Sequence, residues 1–377
     1  MALINYVTQV QFGYGSVELL QGECARLNIQ RPLIVTDEGI RKAGLLDRIQ
    51  AVLSRPAAVF DQTPPNPNEG AVRAAVALYQ EHECDGVIAL GGGSSLDLAK
   101  GVAVCATHPG PLQQFAVIEG GLTKITSATA PVIAIPTTAG TGSEVGRGAI
   151  LILNDGRKVG VISPYVVPKV AICDPELTLG LPAQLTAATG MDAIAHCMET
   201  FMASAFNPPA DGIALDGLRR AWAHIETATR EPANRDARLN MMSASMQGAL
   251  AFQKGLGCVH SLSHSLGGLN PSLHHGTLNA ILLPAVIRFN AAADTMKQEN
   301  KLARMAQAMA LPAEADVAEA VHDLTARLGL PTRLGELGIT AEMFERITTG
   351  ALADHSHKTN PLDASPEDYR RILEQSM

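Results

Sequence analysis

The chain has 377 residues, 46% of them hydrophobic and 18% charged, a balance that suits globular domains and a length that suits two of them. Its net charge of −8 comes without any basic block, which argues against nucleic acid or an anionic membrane surface as a partner. The opening segment MALINYVTQVQFGYG lacks the basic region and apolar run of a signal peptide, and no stretch approaches the roughly 18 continuous apolar residues of a spanning helix.

In chain order, residues 32–36 read as a buried parallel strand ending at Asp37, and residues 57–60 as a second strand. A loop rich in Pro and Asn follows over 63–68, then a helix over 69–83 and a strand over 86–90 that runs into three glycines. Residues 131–135 form another strand, ending at Pro136. Strands alternating with helices predict a mainly parallel sheet covered on both faces. Beyond Leu177 the strand signals fade, and residues 186–203, 211–229, 236–252 and 301–309 read as helices rich in Ala, Met and Leu. The domain boundary is placed near Thr178, giving an α/β domain over 1–178 and an all-helical domain over 179–377. Six scattered cysteines, Cys24, Cys84, Cys105, Cys173, Cys197 and Cys258, form no CxxC pair. Reduced thiols in a cytoplasm are therefore expected, rather than disulfides or a thiolate zinc site.

Two loops are suited to phosphates. Gly91, Gly92 and Gly93 lack Cβ atoms, so backbone N–H groups there can approach an anion, with a helix N-terminus at Ser94 and Ser95 behind them. The spacing is not GxGxxG, and taken alone the loop is more simply a tight strand-to-helix turn. A second loop, with Thr137, Thr138, Gly140, Thr141 and Gly142, follows the strand ending at Pro136. Two such loops leaving one sheet predict an extended ligand across the strand ends. Asp37, at the end of another strand, suits an adenosine ribose and repels a 2′-phosphate, favouring NAD over NADP; a strand-end Asp is as often an N-cap.

Asp192 and His196 stand at i and i+4, which puts both on one face of a helix. His260 and His264 repeat that spacing, His274 and His275 follow, and His224 stands apart on a helix surface. One Asp with three neutral imidazoles is a donor set for Fe²⁺ or Zn²⁺.

With these residues the chain resembles the iron-containing (group III) alcohol dehydrogenases over essentially its whole length. The matching runs are Gly91-Gly92-Gly93-Ser94 with Asp97 and Lys100, Pro136 to Glu144, Asp174-Pro175-Glu176-Leu177-Thr178, Gly190-Met191-Asp192-Ala193 with His196, and His260 to Gly276. The resemblance implies a Rossmann-like NAD-binding domain of the dehydroquinate synthase-like fold and a helical metal domain, with the active site in the cleft between them and a homodimer as the assembly. It implies Asp192, His196, His260 and His275 as metal ligands, Fe²⁺ being the expected ion and Zn²⁺ an accepted one. The family's metal histidine directly precedes a glycine, which selects His275 beside Gly276; the loop is one residue longer than usual, so His274 is the alternative. His264 matches the non-ligand histidine near the nicotinamide and is the expected catalytic proton relay. Asp37, Gly91, Gly92, Gly93, Ser94, Ser95, Asp97, Thr137, Thr138, Thr141, Lys158 and Leu177 are the expected cofactor-binding positions.

The implied reaction is hydride transfer between NAD(H) and a small primary alcohol or its aldehyde. The runs 172–178, 206–212 and 252–260 and the tail 357–361 resemble members acting on 4-hydroxybutyrate and succinate semialdehyde. A hydroxy acid calls for a cation, for which Lys254, Arg147, His357 and Lys358 are the candidates, with His355 beside the last two. Surface salt bridges explain each of them, taken singly, as well. Where many members carry Thr, Arg and an aromatic after Ser143-Glu144, this chain has Gly146, Arg147 and Gly148, which opens space near the nicotinamide. A hydroxyacid–oxoacid transhydrogenase and a lyase resembling dehydroquinate synthase remain as alternatives.

Overall fold

A computed structural model describes residues 8–377; the first seven residues, which begin both the expected α/β domain and the opening segment read for a signal peptide, lie outside the described residues. The chain forms two compact units, one running up to Thr138 and resuming over Gly142–Gly180, the other comprising Ala139–Thr141 and Leu181–Met377.

In the first unit, strands β1 (Gln9–Phe12), β2 (Pro32–Val35), β3 (Ala58–Phe60), β4 (Gly86–Gly91) and β5 (Val132–Pro136) are followed by a hairpin, β6 (Gly148–Ile152) and β7 (Lys158–Ile162), and then by β8 (Val170–Cys173). Six of them form one sheet in the order β1-β8-β5-β4-β2-β3, with every pairing parallel. Side chains alternate across it, so Val87 and Ala89 enter one apolar cluster while Ile88 and Leu90 enter the cluster on the opposite face. Both faces are thus buried, which is why these strands read as continuous apolar runs. Connecting helices begin at side-chain caps: Asp37 accepts from Ile40 N, and Asn68 from Ala71 N. The parallel arrangement sets the C-terminal ends of β2, β4 and β5 side by side.

β1, β8 and the hairpin were not among the expected strands. β1 reads Gln-Val-Gln-Phe, too short and too polar to stand out, and its partner β8 is only four residues long. The hairpin packs Ala149 and Leu151 against the sheet's helical cover.

The second unit is helical among its described residues. Ala183–Met202, Pro208–Arg230, Arg235–Leu250, Cys258–Leu269 and His275–Asn290 are its long helices. Asn207 and Asn234 cap two of them, Asn207 directly before Pro208 at the first helical position. The helix expected over 236–252 stops at Leu250 and tightens into a 3₁₀ turn over Ala251–Lys254. Gly255 follows with φ 107°, a conformation that an L side chain resists, and a Cβ there would strike Thr359. Among the described residues, no helix is long and apolar enough to cross a membrane.

Candidate metal centre and cofactor loops

At the end of β4, Gly91 turns with φ 144° and Gly92 caps the Gly93–Cys105 helix without any side-chain hydrogen bond. A Cβ on Gly91 would lie 2.8 Å from Ser95 Cβ, so a larger residue would not fit the turn. Gly92 has no side chain to cap this 13-residue helix, and the helix dipole favours an anion at that end. Ser94 Oγ donates to Pro65 O, and Ser95 Oγ to Asp37 Oδ2 at 3.0 Å. Asp37 is at once the N-cap expected on plain grounds and a carboxylate at the edge of the glycine loop. In the next loop, Thr137 is buried with its Oγ1 unpartnered, and its N–H donates to Gly91 O at 3.0 Å. Thr138 lies beside Gly92, and Thr141 is half-buried. Lys158 Nζ donates to Asn66 Oδ1 at 2.9 Å.

Two expected cofactor positions are engaged elsewhere. Asp97 Oδ1 accepts from Ser143 Oγ at 2.6 Å and Oδ2 from Ile150 N at 2.9 Å, so this carboxylate ties the glycine-loop helix to the hairpin. Beside it, buried Lys100 donates to Ser143 Oγ and to Gly146 O and Gly148 O, and burial lowers its pKa to about 8. Burial likewise raises Glu144 to about 7. Leu177 is buried in the apolar cluster under the sheet, which leaves only its backbone for a ligand.

The metal candidates converge. Asp192 Oδ1 lies 3.5 Å from His196 Nε2, 3.8 Å from His260 Nε2 and 3.6 Å from His275 Nε2. Asp192, His196 and His260 offer donor atoms all within 4.8 Å of one another. The far nitrogen of each imidazole is held: His196 Nδ1 donates to Gly140 O at 3.3 Å, His260 Nδ1 to Glu199, and His275 Nδ1 meets Ser263 Oγ at 3.3 Å. Bonds to a carbonyl and a carboxylate fix the proton on Nδ1 and leave the Nε2 lone pair for a cation. Burial depresses His196 to about 4, keeping it neutral. For His260 burial acts in the same direction, but Glu199 outweighs it and the pKa rises. Gly276 has a steric reason: a Cβ there would strike Ala188 O, so only glycine lets the His275–Asn290 helix begin this close to the Ala183–Met202 helix. His274 is the exposed N-cap of that helix.

Sequence reasoning missed Glu199, Asn279 and Asp354. Asn279 is fully buried, with Nδ2 2.7 Å from Asp192 Oδ1, 3.1 Å from His275 Nε2 and 3.4 Å from His260 Nε2. Its Oδ1 has no partner. An amide turning its positive hydrogens onto a carboxylate and two imidazole lone pairs marks a spot where positive charge is favoured, so the residues present fit a divalent cation. Asn279→Ala is expected to weaken binding of a divalent metal by about 10–100-fold, the usual effect of losing an outer hydrogen bond to a ligand. Chelator competition on the folded variant measures this, and an unchanged affinity contradicts the role.

Next to this set, His264 Nδ1 donates to Asp354 Oδ2 at 3.0 Å, and His355 Nδ1 stands 3.6 Å from Asp354 Oδ1. Burial opposes ionisation of Asp354, but the His264 charge and hydrogen bond outweigh it and hold the carboxyl well below its usual range. The His264 ring stacks on His275 at 5.3 Å between centroids. The helix bearing His260 and His264 is pinned from the C-terminal tail, where Asn360 Oδ1 accepts from Cys258 N and Thr359 Oγ1 donates to Leu256 O.

The substrate cations fare differently. Lys254 is 3% exposed, and its ammonium donates to Asp211 Oδ1 and, at 3.1 Å, to Phe201 O. A substrate carboxylate there would have to compete with Asp211 for the ammonium, and breaking such a buried pair costs about 3–5 kcal/mol. His357 Nδ1 is 2.9 Å from Tyr369 Oη, while Lys358 and Arg147 are exposed. His224, on the Pro208–Arg230 helix, lies 3.9 Å from Asp236 and apart from the set.

Comparison with known proteins bears on the family. Residues 7–175 match the family model described as iron-containing alcohol dehydrogenase, and residues 186–377 its C-terminal counterpart. The chain is 63% identical to a 4-hydroxybutyrate dehydrogenase of Cupriavidus necator, with 100% of both covered. It superposes on a crystal structure of 1,3-propanediol oxidoreductase with a TM-score of 0.93, 34% identity and full coverage of both chains. A sulfoacetaldehyde reductase from Bifidobacterium kashiwanohense, solved in complex with NAD⁺, matches with a TM-score of 0.88 and 27% identity over 99% of this chain and 98% of that one. The chain belongs to the iron-containing alcohol dehydrogenase family and is an oxidoreductase of its fold.

Proposed function

We propose that the protein interconverts 4-hydroxybutyrate and succinate semialdehyde with NAD⁺ and NADH, using one divalent metal, Fe²⁺ by preference and Zn²⁺ as an accepted substitute. The observation that carries this reading is the convergence of Asp192, His196, His260 and His275 Nε2 and carboxylate atoms, in a chain 63% identical to a 4-hydroxybutyrate dehydrogenase. In the proposed reaction the alcohol carbon gives hydride to the nicotinamide and the hydroxyl gives up a proton, yielding aldehyde, NADH and H⁺. A divalent ion held by those four residues would supply Lewis acidity toward the substrate oxygen. Glu199, Gly140 and Ser263 orient the imidazoles, and His264, held by Asp354, carries the proton away. The glycine loop and the Thr137 loop bind the cofactor phosphates and nicotinamide half, and Asp37 sets the preference for NAD over NADP. Residues 1–178 are the proposed cofactor domain and 179–377 the metal domain, in a cytoplasmic homodimer.

The test is anaerobic purification, reconstitution with Fe²⁺ or Zn²⁺, and NADH absorbance with 4-hydroxybutyrate and with 1-butanol. A kcat/KM at least about tenfold higher for the hydroxy acid is expected, the scale of one charged hydrogen bond. Equal or faster turnover of butanol contradicts the substrate, and no net NADH release contradicts the dehydrogenase reaction.

A further inference from the structure

A hydroxy-acid dehydrogenase must hold a carboxylate at a fixed distance from the carbon that reacts, and of the substrate cations considered so far none is well placed. Lys254 is neutralised by Asp211, Lys358 and Arg147 are exposed, and His357 is bound to Tyr369. A different side chain answers the requirement.

His275, His264 and His355 form a ladder of imidazoles. Centroids are 5.3 Å apart at the first step and 5.8 Å at the second, with planes inclined by only 14° and 23°. The ladder begins at the metal set, since His275 Nε2 faces Asp192 Oδ1 at 3.6 Å, and ends at a side chain that is 31% exposed. His355 therefore sits no more than two ring spacings from His275 and is reachable by a small ligand. Its Nδ1 faces Asp354, and no hydrogen bond to its Nε2 is found among the described residues.

Reach decides what this nitrogen could bind. With bond lengths of about 1.5 Å, an extended 4-hydroxybutyrate spans about 6 Å from hydroxyl oxygen to carboxylate oxygens. A hydrogen bond adds about 2.8 Å, so a substrate whose hydroxyl lies at the metal set carries its carboxylate to about the far end of the ladder.

We propose that His355 is the specificity-determining residue for the distal carboxylate of the substrate, its Nε2–H donating to the incoming carboxylate while Nδ1 faces Asp354 Oδ1 at 3.6 Å. Burial lowers the pKa of the free ring, and the arriving carboxylate favours its protonated form. Asp354 then serves both imidazoles: Oδ2 orients His264 for the proton and Oδ1 faces His355. The two carboxylates are separated by the ring between them, and Asp354 is further engaged by Ser356 N at 2.8 Å. This inference rests on the hydroxy-acid reading above.

The experiment compares 4-hydroxybutyrate with 1,4-butanediol, which has the same length and no charge, in the metal-loaded wild type and in His355→Ala, His355→Gln and His355→Lys. In the wild type the hydroxy acid is expected to be preferred. In His355→Ala and His355→Gln its KM should rise at least about tenfold, while kcat/KM for the diol stays within about twofold; His355→Lys should restore part of the preference. Circular dichroism and metal content confirm that each variant is folded and loaded. A wild-type preference that survives in both neutral variants overturns the anchor and leaves the substrate reading standing. So does an equal fall for both substrates, which would make His355 a support for His264 only. A wild type without any preference for the acid overturns both.

Discussion

Asp192→Ala is expected to yield a folded protein that retains no stoichiometric metal and has lost kcat/KM by at least on the order of 10³-fold, the several kcal/mol that a Lewis acid contributes. Asp192 is the one carboxylate of the donor set, and its Oδ1 lies within 3.8 Å of all three imidazole Nε2 atoms. Without it, a cation faces only neutral nitrogens. Nothing else in the set can replace the charge, because Glu199 is held by His260 Nδ1 and Val259 N on the outer side of the ring. Asp192→Asn, nearly the same shape, should fail in the same way, which separates loss of charge from loss of packing. Metal analysis after gel filtration measures it; a stoichiometric ion in either variant contradicts the ligand assignment.

The second large effect is expected at a neighbour that should not disturb the metal. His264→Ala should keep one ion per chain and lose about 10²–10⁴-fold in kcat, the range for removing a positioned acid–base group. The side chain is oriented by Asp354 Oδ2 at 3.0 Å and stacked on His275, yet it is not near Asp192 in the way the other three are. Asp354→Asn should move kcat in the same direction by a smaller factor, since it loosens the ring without removing it. The measurement pairs steady-state kinetics with metal content. Equal metal loss in His264→Ala and Asp192→Ala would place His264 among the ligands instead.

Much of this site was legible because helical spacing projects residues onto one face. Asp192 with His196, and His260 with His264, declared themselves by the i, i+4 rule. The same rule held two signals that went unread. Asn279 stands four residues after His275, and Glu199 seven after Asp192, so both lie on ligand-bearing faces. An isolated Asn or Glu on a helix has too many ordinary explanations to be singled out without the fold. Asp354 could not have been reached this way, since 90 residues separate it from His264 and no local pattern links them. Lys254 shows what charge alone leaves out. Its position before His260 suggested a substrate cation, but charge says nothing of partners, and Asp211, 43 residues earlier in the chain, takes the ammonium.

The fold was legible where burial is two-sided. β2, β4 and β5 are apolar along their length because helices cover both faces of the sheet, and they appeared within a residue of their observed ends. The edge strand β1, with Gln at alternate positions, and the hairpin β6–β7 carry a weaker signal because they lack that two-sided cover. Gly91, Gly255 and Gly276 were visible as glycines, but their reasons differ: positive φ at the first two, and contact with Ala188 O at the third.

The measurement that reaches the centre of this account is anomalous diffraction at the iron edge from crystals of the anaerobically reconstituted enzyme. The account predicts one peak per chain, about 2.0–2.2 Å from Asp192 and from Nε2 of His196, His260 and His275, with His274 outside the coordination sphere. A peak held by His274 in place of His275, or one lodged among His264, Asp354 and His355, would contradict it.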